Sequence, residues 1–440
     1  MTHFSTYDLV VGLGRSGVSM ARFLKSLGRN VMATDSDASR TKEAAALEAL
    51  GIKTRIGSHD QDEFDRADLI VPSPGIPLTM PYLKVAAAKG VKVTGELDIF
   101  SRHNTTPVIA VSGSNGKTTT TRLIGEMAQA SGLSSFVGGN IGIPLVEYLM
   151  SGTRADLVVA EISSFQLDLA QNFKPNVGVL LNISPDHLDR YPDYKAYRDS
   201  KWSLFARQDK KDTAVINAGI VNFDHRVSRL SSRIVEFSPQ TRNLNAQIRI
   251  NKEIIPASAF QALIGGHNRE NIIAAAHAVL AAGGTMAGIT LALEKFTPLP
   301  HRTAFARNIR GIRFYNDSKA TNTDAVNRAL EAFDAPVILI LGGREKDTDF
   351  TELIPGVAEG VKEIMAIGEA TGHILETFET RCRVTPCKDM ADAVTRAYDT
   401  AVKGEVVLLS PACASFDMYD NYEARGRDFI AQVNRLGGRP

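Results

Sequence analysis

The sequence predicts an α/β protein built from parallel sheets and divided into three domains. Short β-branched runs alternate with amphipathic segments of helix length over nearly the whole chain, a pattern typical of parallel sheets covered by helices. The 440 residues are enough for about three domains of ordinary size. We place the domains at residues 1–97, 98–299 and 300–440, the last boundary falling in the proline-containing segment 297–300.

Composition excludes several classes of protein. Fifty basic and forty-nine acidic residues leave a net charge of +1, so we expect neither a nucleic-acid partner nor a membrane surface. Three cysteines, all near the C-terminal end, argue against a disulfide framework and for a reducing compartment. No apolar run has the roughly 18 residues of a membrane helix, and no signal segment precedes the first strand. These features predict a cytoplasmic protein.

The first domain opens with a glycine-rich turn after a strand. A strand over 7–11 is followed by the pattern GxGxxG at 12–17, then a helix, and a second strand that ends at Asp35. A phosphate can bind at such a helix N-terminus, and the carboxylate of Asp35 can accept from a hydroxyl or an imide N–H. Both NAD and a UDP group satisfy these requirements, and a purely structural turn stays open at this point. A rigid loop, 72–77, follows the strand over 68–71, where open α/β sheets bind ligands.

A phosphate-binding loop opens the second domain. The segment Gly113-Ser114-Asn115-Gly116-Lys117-Thr118 lies between an apolar strand over 108–111 and a helical stretch over 119–130. Lys117 is placed to bridge the β- and γ-phosphates of a nucleotide, and Thr118 to offer its hydroxyl to Mg²⁺. Position 111 holds valine where the longer form of the motif has glycine, so the loop is a shortened one.

Further polar residues follow the next strands of this domain. Glu161 comes directly after a strand over 157–160, where a carboxylate can hold Mg²⁺ or simply lie exposed. His187 follows the strand over 177–181, and a hydrogen-bonding role fits it better than Mg²⁺ ligation, since Mg²⁺ prefers oxygen. Lys201, taken alone, has the pattern of a solvated lysine on a helix face.

The third domain adds several polar clusters that follow strands or open helices. Together they predict a surface of cationic and hydroxyl groups suited to anions. They are His301-Arg302, Asn316-Asp317-Ser318-Lys319-Ala320-Thr321-Asn322, Gly342-Gly343-Arg344-Glu345-Lys346 and Ser410-Pro411-Ala412-Cys413-Ala414-Ser415-Phe416.

In combination these motifs resemble the Mur ligase family across essentially the whole chain. The shortened phosphate loop after Ser112 is similar to that of the family, and the remaining motifs occur in the family's order. These are Glu161-Ile162-Ser163-Ser164-Phe165-Gln166, Asp186-His187-Leu188-Asp189-Arg190-Tyr191, His267-Asn268-Arg269-Glu270-Asn271, His301-Arg302 and the segment 316–322. The first domain with Asp35 and the Ser-Pro-Gly at 73–75, together with 409–415, resembles the members that add D-glutamate.

The resemblance implies a Rossmann-like N-terminal domain, a central P-loop ATPase-like α/β domain and a Rossmann-like C-terminal domain. It implies ATP between the second and third domains, and two Mg²⁺ ions, with a carbamate on Lys201. The implied ATP-binding residues are Asn115, Gly116, Lys117, Thr118, Thr119, Asn271, Arg302 and Asp317. The implied metal ligands are Thr118, Glu161, His187 and Lys201, and the implied catalytic residues are Lys117, Glu161, His187 and Lys201.

The resemblance also implies the substrates, UDP-N-acetylmuramoyl-L-alanine and D-glutamate. We expect a monomer. The resemblance assigns the first glycine motif to UDP rather than NAD. The implied UDP-sugar-binding residues are Arg15, Ser16, Asp35, Ser36, Gly75, Asn140 and His187. The implied D-glutamate-binding residues are Lys319, Thr321, Lys346, Ser415, Phe416 and Tyr422. Because the reactants lie on different domains, we expect closure of the third domain to assemble the site.

Other functions stay open from the sequence. One is a ligase of the same superfamily that adds L-alanine or a diamino acid, or that extends folates. However, the chain lacks the Asp-Asn-Pro-Arg segment expected of a diaminopimelate-adding enzyme. An NAD-dependent dehydrogenase with a regulatory ATPase domain, and a non-enzymatic nucleotide switch, are rivals from other classes.

Overall fold

A computed structural model describes residues 6–186, 190–220, 223–238, 247–345 and 348–437. The chain divides into two compact units. One comprises Met1–Ser238 and Ala274–Ala292, and the other comprises Pro239–Ile273 and Leu293–Pro440.

The first unit begins with a five-stranded parallel sheet. Its elements are β1 (Tyr7–Val11), α1 (Arg15–Ser26), β2 (Val31–Asp35), α2 (Thr41–Glu48), β3 (Lys53–Ile56), α3 (Gln61–Asp65), β4 (Ala67–Pro72), α4 (Pro81–Ala88), β5 (Lys92–Val93) and α5 (Glu96–His103). The strand order is β3-β2-β1-β4-β5. The order reverses between β1 and β4, and ligands of such sheets bind beyond the carboxyl ends of the strands at this point.

The second sheet of this unit has six strands, and every pair in it is parallel. Its elements are β6 (Val108–Ser112), α6 (Lys117–Ala130), β7 (Ser135–Gly139), α7 (Leu145–Met150), β8 (Leu157–Glu161), α8 (Ser164–Leu167), β9 (Val177–Leu180), α9 (Tyr194–Trp202), β10 (Thr213–Asn217), α10 (Phe223–Val227) and β11 (Arg233–Phe237). The strand order is β11-β10-β9-β6-β8-β7, so β6 lies between β9 and β8.

The second unit contains a small hairpin and a six-stranded sheet. The hairpin and the two helices after it are β12 (Ile248–Ile250), β13 (Glu253–Ile255), α11 (Gly266–Ala281) and α12 (Met286–Lys295); both helices include residues of the two units. The sheet and its helices are β14 (Ala304–Ile309), β15 (Ile312–Asn316), α13 (Thr323–Leu330), β16 (Val337–Gly342), α14 (Ile354–Gly360), β17 (Val361–Ile367), α15 (Thr371–Phe378), β18 (Arg383–Pro386), α16 (Met390–Thr400), β19 (Val406–Leu409) and α17 (Tyr422–Leu436). The order is β14-β15-β19-β16-β17-β18, with only β14 antiparallel to its neighbour among these described strands.

The α/β fold predicted from the alternation of elements is confirmed. Central strands such as β6 and β16 are buried along their whole length, because helices cover both faces of a parallel sheet. The helix predicted over 119–130 begins two residues earlier, at Lys117. The three domain boundaries stay a prediction. In the part of the chain described, no helix combines the length and apolar character that crossing a bilayer requires.

Candidate active site

The phosphate-binding loop joins β6 to α6 and is held by its neighbours. Gly116 precedes the helix with φ of 84°, a left-handed conformation that favours glycine. Lys117 Nζ donates to the carbonyl oxygens of Gly113 at 2.7 Å and Ser114 at 2.8 Å. Asn182, which follows β9, accepts from Asn115 N at 2.8 Å and donates through Nδ2 to Asn115 O at 3.0 Å. The loop is therefore shaped before any ligand arrives.

Lys201 is not the solvated lysine that its pattern alone predicts. It is 1% exposed, and its Nζ donates to Gly113 O at 2.8 Å, the same carbonyl that accepts from Lys117. Burial, followed by the positive charge of Lys117, lowers the pKa of Lys201 well below its usual value. The solvated-face reading is wrong because α9 turns this side chain towards the phosphate-binding loop. Burial at this position therefore favours the neutral form of the amine.

Tyr197 lies one helical turn before Lys201 and supports the same loop. The Lys201 amine lies 4.6 Å from the centroid of the Tyr197 ring. The Tyr197 hydroxyl and Ser114 Oγ are 2.9 Å apart, and Ser114 Oγ also donates to Ser184 O. Both α9 residues therefore reach the loop from one face of the helix, since positions four apart share a face.

Glu161 ends β8, the strand beside β6, and is 2% exposed. Its Oε1 accepts from Asn140 Nδ2 at 3.0 Å, while the buried Oε2 has no hydrogen-bond partner among the described residues. An unsatisfied carboxylate oxygen is a suitable ligand for Mg²⁺, which prefers hard oxygen donors. The observed donor chemistry at Glu161 therefore fits a divalent cation.

The structure gives less information on two other predicted metal ligands, Thr118 and His187. Thr118 is the second residue of α6, beside the loop, and His187 lies outside the described residues. Within the described ranges, no three His, Cys, Asp or Glu side chains are grouped closely enough to hold a metal ion by themselves.

The predicted UDP-sugar residues of the first sheet follow β1, β2 and β4. Arg15 and Ser16 open α1, and Gly17 packs so closely that a Cβ there would lie 1.8 Å from Gly12 O. Asp35 ends β2, and its Oδ2 accepts from Leu13 N at 2.6 Å. Ser36 directly follows it. The glycine motif and Asp35 therefore meet at the carboxyl edge of this sheet.

Two arginines connect this edge to the second sheet within the same unit. Arg15 donates to Gly142 O at 2.7 Å, and Arg190 donates to Gly75 O at 3.1 Å. Gly142 is two residues after Asn140, the partner of Glu161. The loop 140–142 is therefore in contact with both predicted sites of the first unit.

The predicted ATP-binding residues belong to both units. Residues 115–119 lie in the first unit, whereas Asn271, Arg302 and Asp317 lie in the second. Asp317 follows β15, where its Oδ1 accepts from Thr303 N and its Oδ2 from Ser410 Oγ, both at 2.9 Å. Burial raises the pKa of Asp317 to about 7.

Two of the predicted D-glutamate residues, Lys319 and Tyr422, meet at the first turn of α17. Lys319 Nζ lies 4.0 Å from the centroid of the Tyr422 ring, and Ser318 Oγ donates to Tyr422 O at 2.9 Å. Ser415 is buried. The Phe416 side chain is 58% exposed, so it is accessible to a ligand or partner. Thr321 lies between β15 and α13, and Lys346 lies outside the described residues.

Sequence reasoning missed three residues that organise these loops. Asn182 could have been found, because it follows a strand next to the phosphate-loop strand, where side chains converge. Tyr197 could have been found from its spacing of four residues to Lys201. Arg425, which is 1% exposed in α17, carries no such signal in the sequence.

Three family descriptions match successive parts of the chain. The "Mur ligase MurD-like, N-terminal domain" matches residues 6–95, the "Mur ligase middle domain" residues 111–279, and the "Mur ligase, glutamate ligase domain" residues 301–413. They follow the chain in the order that the motifs predict.

Curated relatives match over nearly their full length. A protein of Desulfosudis oleivorans is 42% identical, with 97% of this chain and 96% of the relative covered. One of Geotalea uraniireducens is 40% identical, with 97% of each chain covered. Both bear the name UDP-N-acetylmuramoylalanine–D-glutamate ligase.

Solved structures show the same fold at lower identity. The UDP-N-acetylmuramate-alanine ligase of Thermotoga maritima has a TM-score of 0.60 at 18% identity, over 98% of this chain and 99% of that one. The MurF ligase of the same organism, solved in complex with ADP, has a TM-score of 0.60 at 16% identity, over 85% of this chain and 91% of that one. On the strength of its full-length relatives and its three successive domain matches, this chain belongs to the Mur ligase family.

Proposed function

We propose that this protein is an ATP-dependent ligase that adds D-glutamate to UDP-N-acetylmuramoyl-L-alanine in cytoplasmic peptidoglycan precursor synthesis. Relatives about 40% identical over nearly the whole chain bear the name of that activity. The observation that carries the chemistry is the pairing of a preformed phosphate-binding loop with the orphaned carboxylate oxygen of Glu161 on the neighbouring strand.

The loop would receive the phosphates of ATP. Backbone N–H groups at the start of α6 and the Lys117 ammonium favour negative charge there. Asn115, Gly116, Thr118 and Thr119 complete this part of the proposed nucleotide site. Asn271, Arg302 and Asp317 are the other residues that we propose to bind ATP.

Two Mg²⁺ ions would be held by Thr118 and Glu161, and by His187 and a carbamylated Lys201. When bound, Mg²⁺ supplies Lewis-acid charge stabilisation for phosphoryl transfer. The unmodified Lys201 amine is not an oxygen ligand. Since it is buried and of low pKa, it can add to CO₂, forming an N–C bond and releasing one proton to give an anionic carbamate.

The UDP group would bind at the carboxyl edge of the first sheet. Arg15 and Ser16 open the helix that follows the glycine motif, and Asp35 and Ser36 follow β2, beside β1. Gly75 and Asn140 lie in loops that connect the two sheets of this unit, because Arg190 donates to Gly75 O and Arg15 donates to Gly142 O, two residues after Asn140. This arrangement supports a substrate that extends from the first sheet to the phosphate-binding loop.

The reaction would proceed in two steps. A carboxylate oxygen of the L-alanyl group attacks the γ-phosphorus of ATP, the bond to the β–γ bridging oxygen breaks, and ADP leaves with an acyl phosphate formed. The D-glutamate amine then attacks the acyl carbon, a proton is lost, and inorganic phosphate leaves from the tetrahedral intermediate. Lys117 stabilises the charge that develops on the transferred phosphoryl group.

D-Glutamate would be held by residues of the second unit. Its two carboxylates need cationic and hydroxyl partners, which Lys319, Thr321, Lys346 and Ser415 offer. Phe416 and Tyr422 would border the substrate; the Tyr422 ring also contacts the Lys319 ammonium. We further propose that the protein acts as a cytoplasmic monomer with domains at 1–97, 98–299 and 300–440.

Amino-acid-dependent release of phosphate tests this function. The assay contains the protein, UDP-N-acetylmuramoyl-L-alanine, ATP and Mg²⁺, with D-glutamate, L-alanine or a diamino acid added one at a time. We expect turnover with D-glutamate alone. Turnover with L-alanine or a diamino acid but not with D-glutamate would reject the proposal. Binding of NAD at 12–17 without ligase turnover would support a dehydrogenase instead.

A further inference from the structure

Arg425 is a fully buried arginine that joins two loops and the first turn of α17. Its Nε donates to Ser318 Oγ at 3.0 Å, and its Nη2 donates to Ser318 O at 2.9 Å and to Cys413 O at 3.0 Å. Its Nη1 donates to Ala414 O at 3.2 Å. One guanidinium therefore bonds the loop after β15 and the loop after β19 at the same time.

The charge of this guanidinium is buried among neutral acceptors. The four hydrogen bonds that it makes to described residues all end on carbonyl or hydroxyl oxygens. Burial lowers the pKa of Arg425 to about 10, which leaves the side chain protonated at neutral pH. Among the described residues no carboxylate accepts a hydrogen bond from this cation, and burying a charge in this way is costly, so an apolar residue would suit stability better. Only a guanidinium offers several N–H donors in one plane, and these donors reach the acceptors on both loops at once.

Both loops carry residues of the proposed D-glutamate site. Ser318 precedes Lys319 and lies three residues before Thr321, while Ala414 precedes Ser415. Ser318 Oγ, which accepts from Arg425, itself donates to Tyr422 O at 2.9 Å. Two of the residues bonded to Arg425, Ser318 and Ala414, are thus direct chain neighbours of residues that would contact the amino acid.

A third segment packs against the same point. Arg344 N donates to Ala414 O at 2.9 Å, and Ala414 N donates to Arg344 O at 3.0 Å. At Gly343, with φ of 136°, a Cβ would lie 2.4 Å from Ala414 O and 3.0 Å from Arg425 Nη1. The segment that leads to Lys346 therefore approaches this guanidinium too closely to carry a side chain at position 343.

We propose that Arg425 is a positioning residue that sets the spacing of the D-glutamate-binding side chains by holding their loops together. The inference rests on the proposed function, and it assigns Arg425 no contact with substrate. Arg425 acts through Ser318, Cys413 and Ala414 on the neighbours Lys319 and Ser415.

Steady-state kinetics of Arg425→Lys and Arg425→Met test this role. Lysine keeps the charge but has a single nitrogen, which cannot reach all three carbonyls, so both variants should raise the KM for D-glutamate on the order of tenfold or more. The KM for the UDP-sugar substrate, whose proposed residues lie in the first unit, should stay within about twofold of wild type. The KM for ATP should rise clearly less than that for D-glutamate, because Asp317, which neighbours Ser318, is the one proposed ATP-binding residue next to a bonded position. Asn316 Nδ2 donates to Gly426 O at 2.9 Å, and Phe429 and Val433 are buried in the core, which keeps α17 docked in the variants.

Val394→Ala is the matched control. Val394 is buried on α16, which packs beside α17 in the same core, and its truncation destabilises this unit without touching either loop. The control should leave the KM for D-glutamate unchanged at a comparable loss of thermal stability. An equal rise in that KM in the control, or parallel rises for all three substrates in the Arg425 variants, would overturn the proposal.

Chemical rescue gives a second readout that does not depend on a stable Lys or Met variant. In Arg425→Ala, millimolar ethylguanidinium should lower the KM for D-glutamate at least about threefold, whereas ethylammonium at the same concentration should not. Equal effects of the two cations would reject a role for the fork of donors. Wild-type turnover with D-glutamate is measured alongside: its absence rejects the proposed function, whereas its presence with an unchanged KM in the variants rejects only the role of Arg425.

Discussion

Replacing Glu161 with glutamine should separate the stability of this protein from its activity. Glu161 Oε2 is buried without a hydrogen-bond partner among the described residues, and a buried group left unsatisfied costs about 1–3 kcal/mol, more when it is charged. The amide has the same shape and keeps an oxygen that can accept from Asn140 Nδ2, but it removes the charge. We therefore expect Glu161→Gln to raise the free energy of unfolding by about 1 kcal/mol in the absence of Mg²⁺ and nucleotide.

The same change should nearly abolish turnover. If the carboxylate helps to hold Mg²⁺, its loss removes several kcal/mol of charge stabilisation from phosphoryl transfer. At about 1.4 kcal/mol for each factor of ten, a loss of about 3–4 kcal/mol lowers kcat by a factor of about 100 to 1,000. Urea unfolding measures the first effect, and phosphate release the second. Mg²⁺ with ATP should also raise the Tm of wild type more than that of the variant, since binding to the native state alone stabilises it.

Glu96→Gln is the contrasting control. Glu96 is a buried carboxylate whose oxygens accept from Leu145 N at 2.8 Å and from Gln166 Nε2 at 3.3 Å. In Glu96→Gln the new NH₂ group would face one of these two N–H donors, and that hydrogen bond would be lost. This variant should lose about 1–3 kcal/mol of stability. If Glu161→Gln is destabilised as much as Glu96→Gln, the reasoning from the orphaned oxygen is refuted.

Three further predictions concern the side chains of Tyr197, His267 and Lys201. Tyr197→Phe removes the hydroxyl beside Ser114 Oγ and should cost about 1 kcal/mol in urea unfolding, with a rise of several-fold in the KM for ATP; an unchanged KM would contradict its support of the loop. Burial lowers the pKa of His267 to about 4, below the value near 6.5 in the unfolded chain. Between pH 4 and 6.5 the folded state therefore binds fewer protons than the unfolded state. The free energy of unfolding should therefore fall by up to about 3 kcal/mol as pH falls from 6.5 to 4, and His267→Gln should lose this slope; an identical slope would refute the assignment. Lys201→Ala should keep its circular-dichroism spectrum and lose at least about 99% of its turnover, whereas Lys195→Ala on the exposed face of the same helix should remain active; near-normal turnover in Lys201→Ala would rule out the carbamate.

Much of the first unit could be predicted from the sequence because its chemistry follows local rules. Strand, glycine-rich turn and Lys-Thr at a helix start predict a phosphate-binding loop, and the structure has this arrangement from β6 to α6. Glu161 was predicted at a strand end, and parallel strands place their carboxyl ends at one edge of a sheet. Its orphaned oxygen could not be predicted, because hydrogen bonding at Glu161 depends on Asn140, twenty-one residues earlier.

Lys201 illustrates what local pattern cannot supply. Its pattern, in a helix with low hydrophobicity, predicts exposure, and only the packing of α9 on a loop 88 residues away buries the amine. The resemblance to a known family assigned it a role where its physical pattern did not. Arg425 is a stronger case, because its hydrogen-bond partners Cys413 and Ser318 lie 12 and 107 residues away. Such contacts depend on tertiary packing rather than on periodicity.

Segment 265–273 makes contacts that no periodicity predicts. It lies in the predicted central domain, 98–299, a boundary that stays a prediction. His267 Nδ1 lies 3.0 Å from Arg328 O, and Arg328 also pairs with Glu270 at 3.4 Å. No sequence pattern links these residues, which are about sixty positions apart.

Isotope transfer from substrate to phosphate tests the central claim most directly. UDP-N-acetylmuramoyl-L-alanine labelled with ¹⁸O in its alanyl carboxylate is incubated with the protein, ATP, Mg²⁺ and D-glutamate, and the released phosphate is analysed by mass spectrometry. Ligation through an acyl phosphate predicts one ¹⁸O atom in each phosphate released, in amounts equal to the D-glutamate incorporated. Unlabelled phosphate, or labelled phosphate formed without incorporation of D-glutamate, would contradict the account.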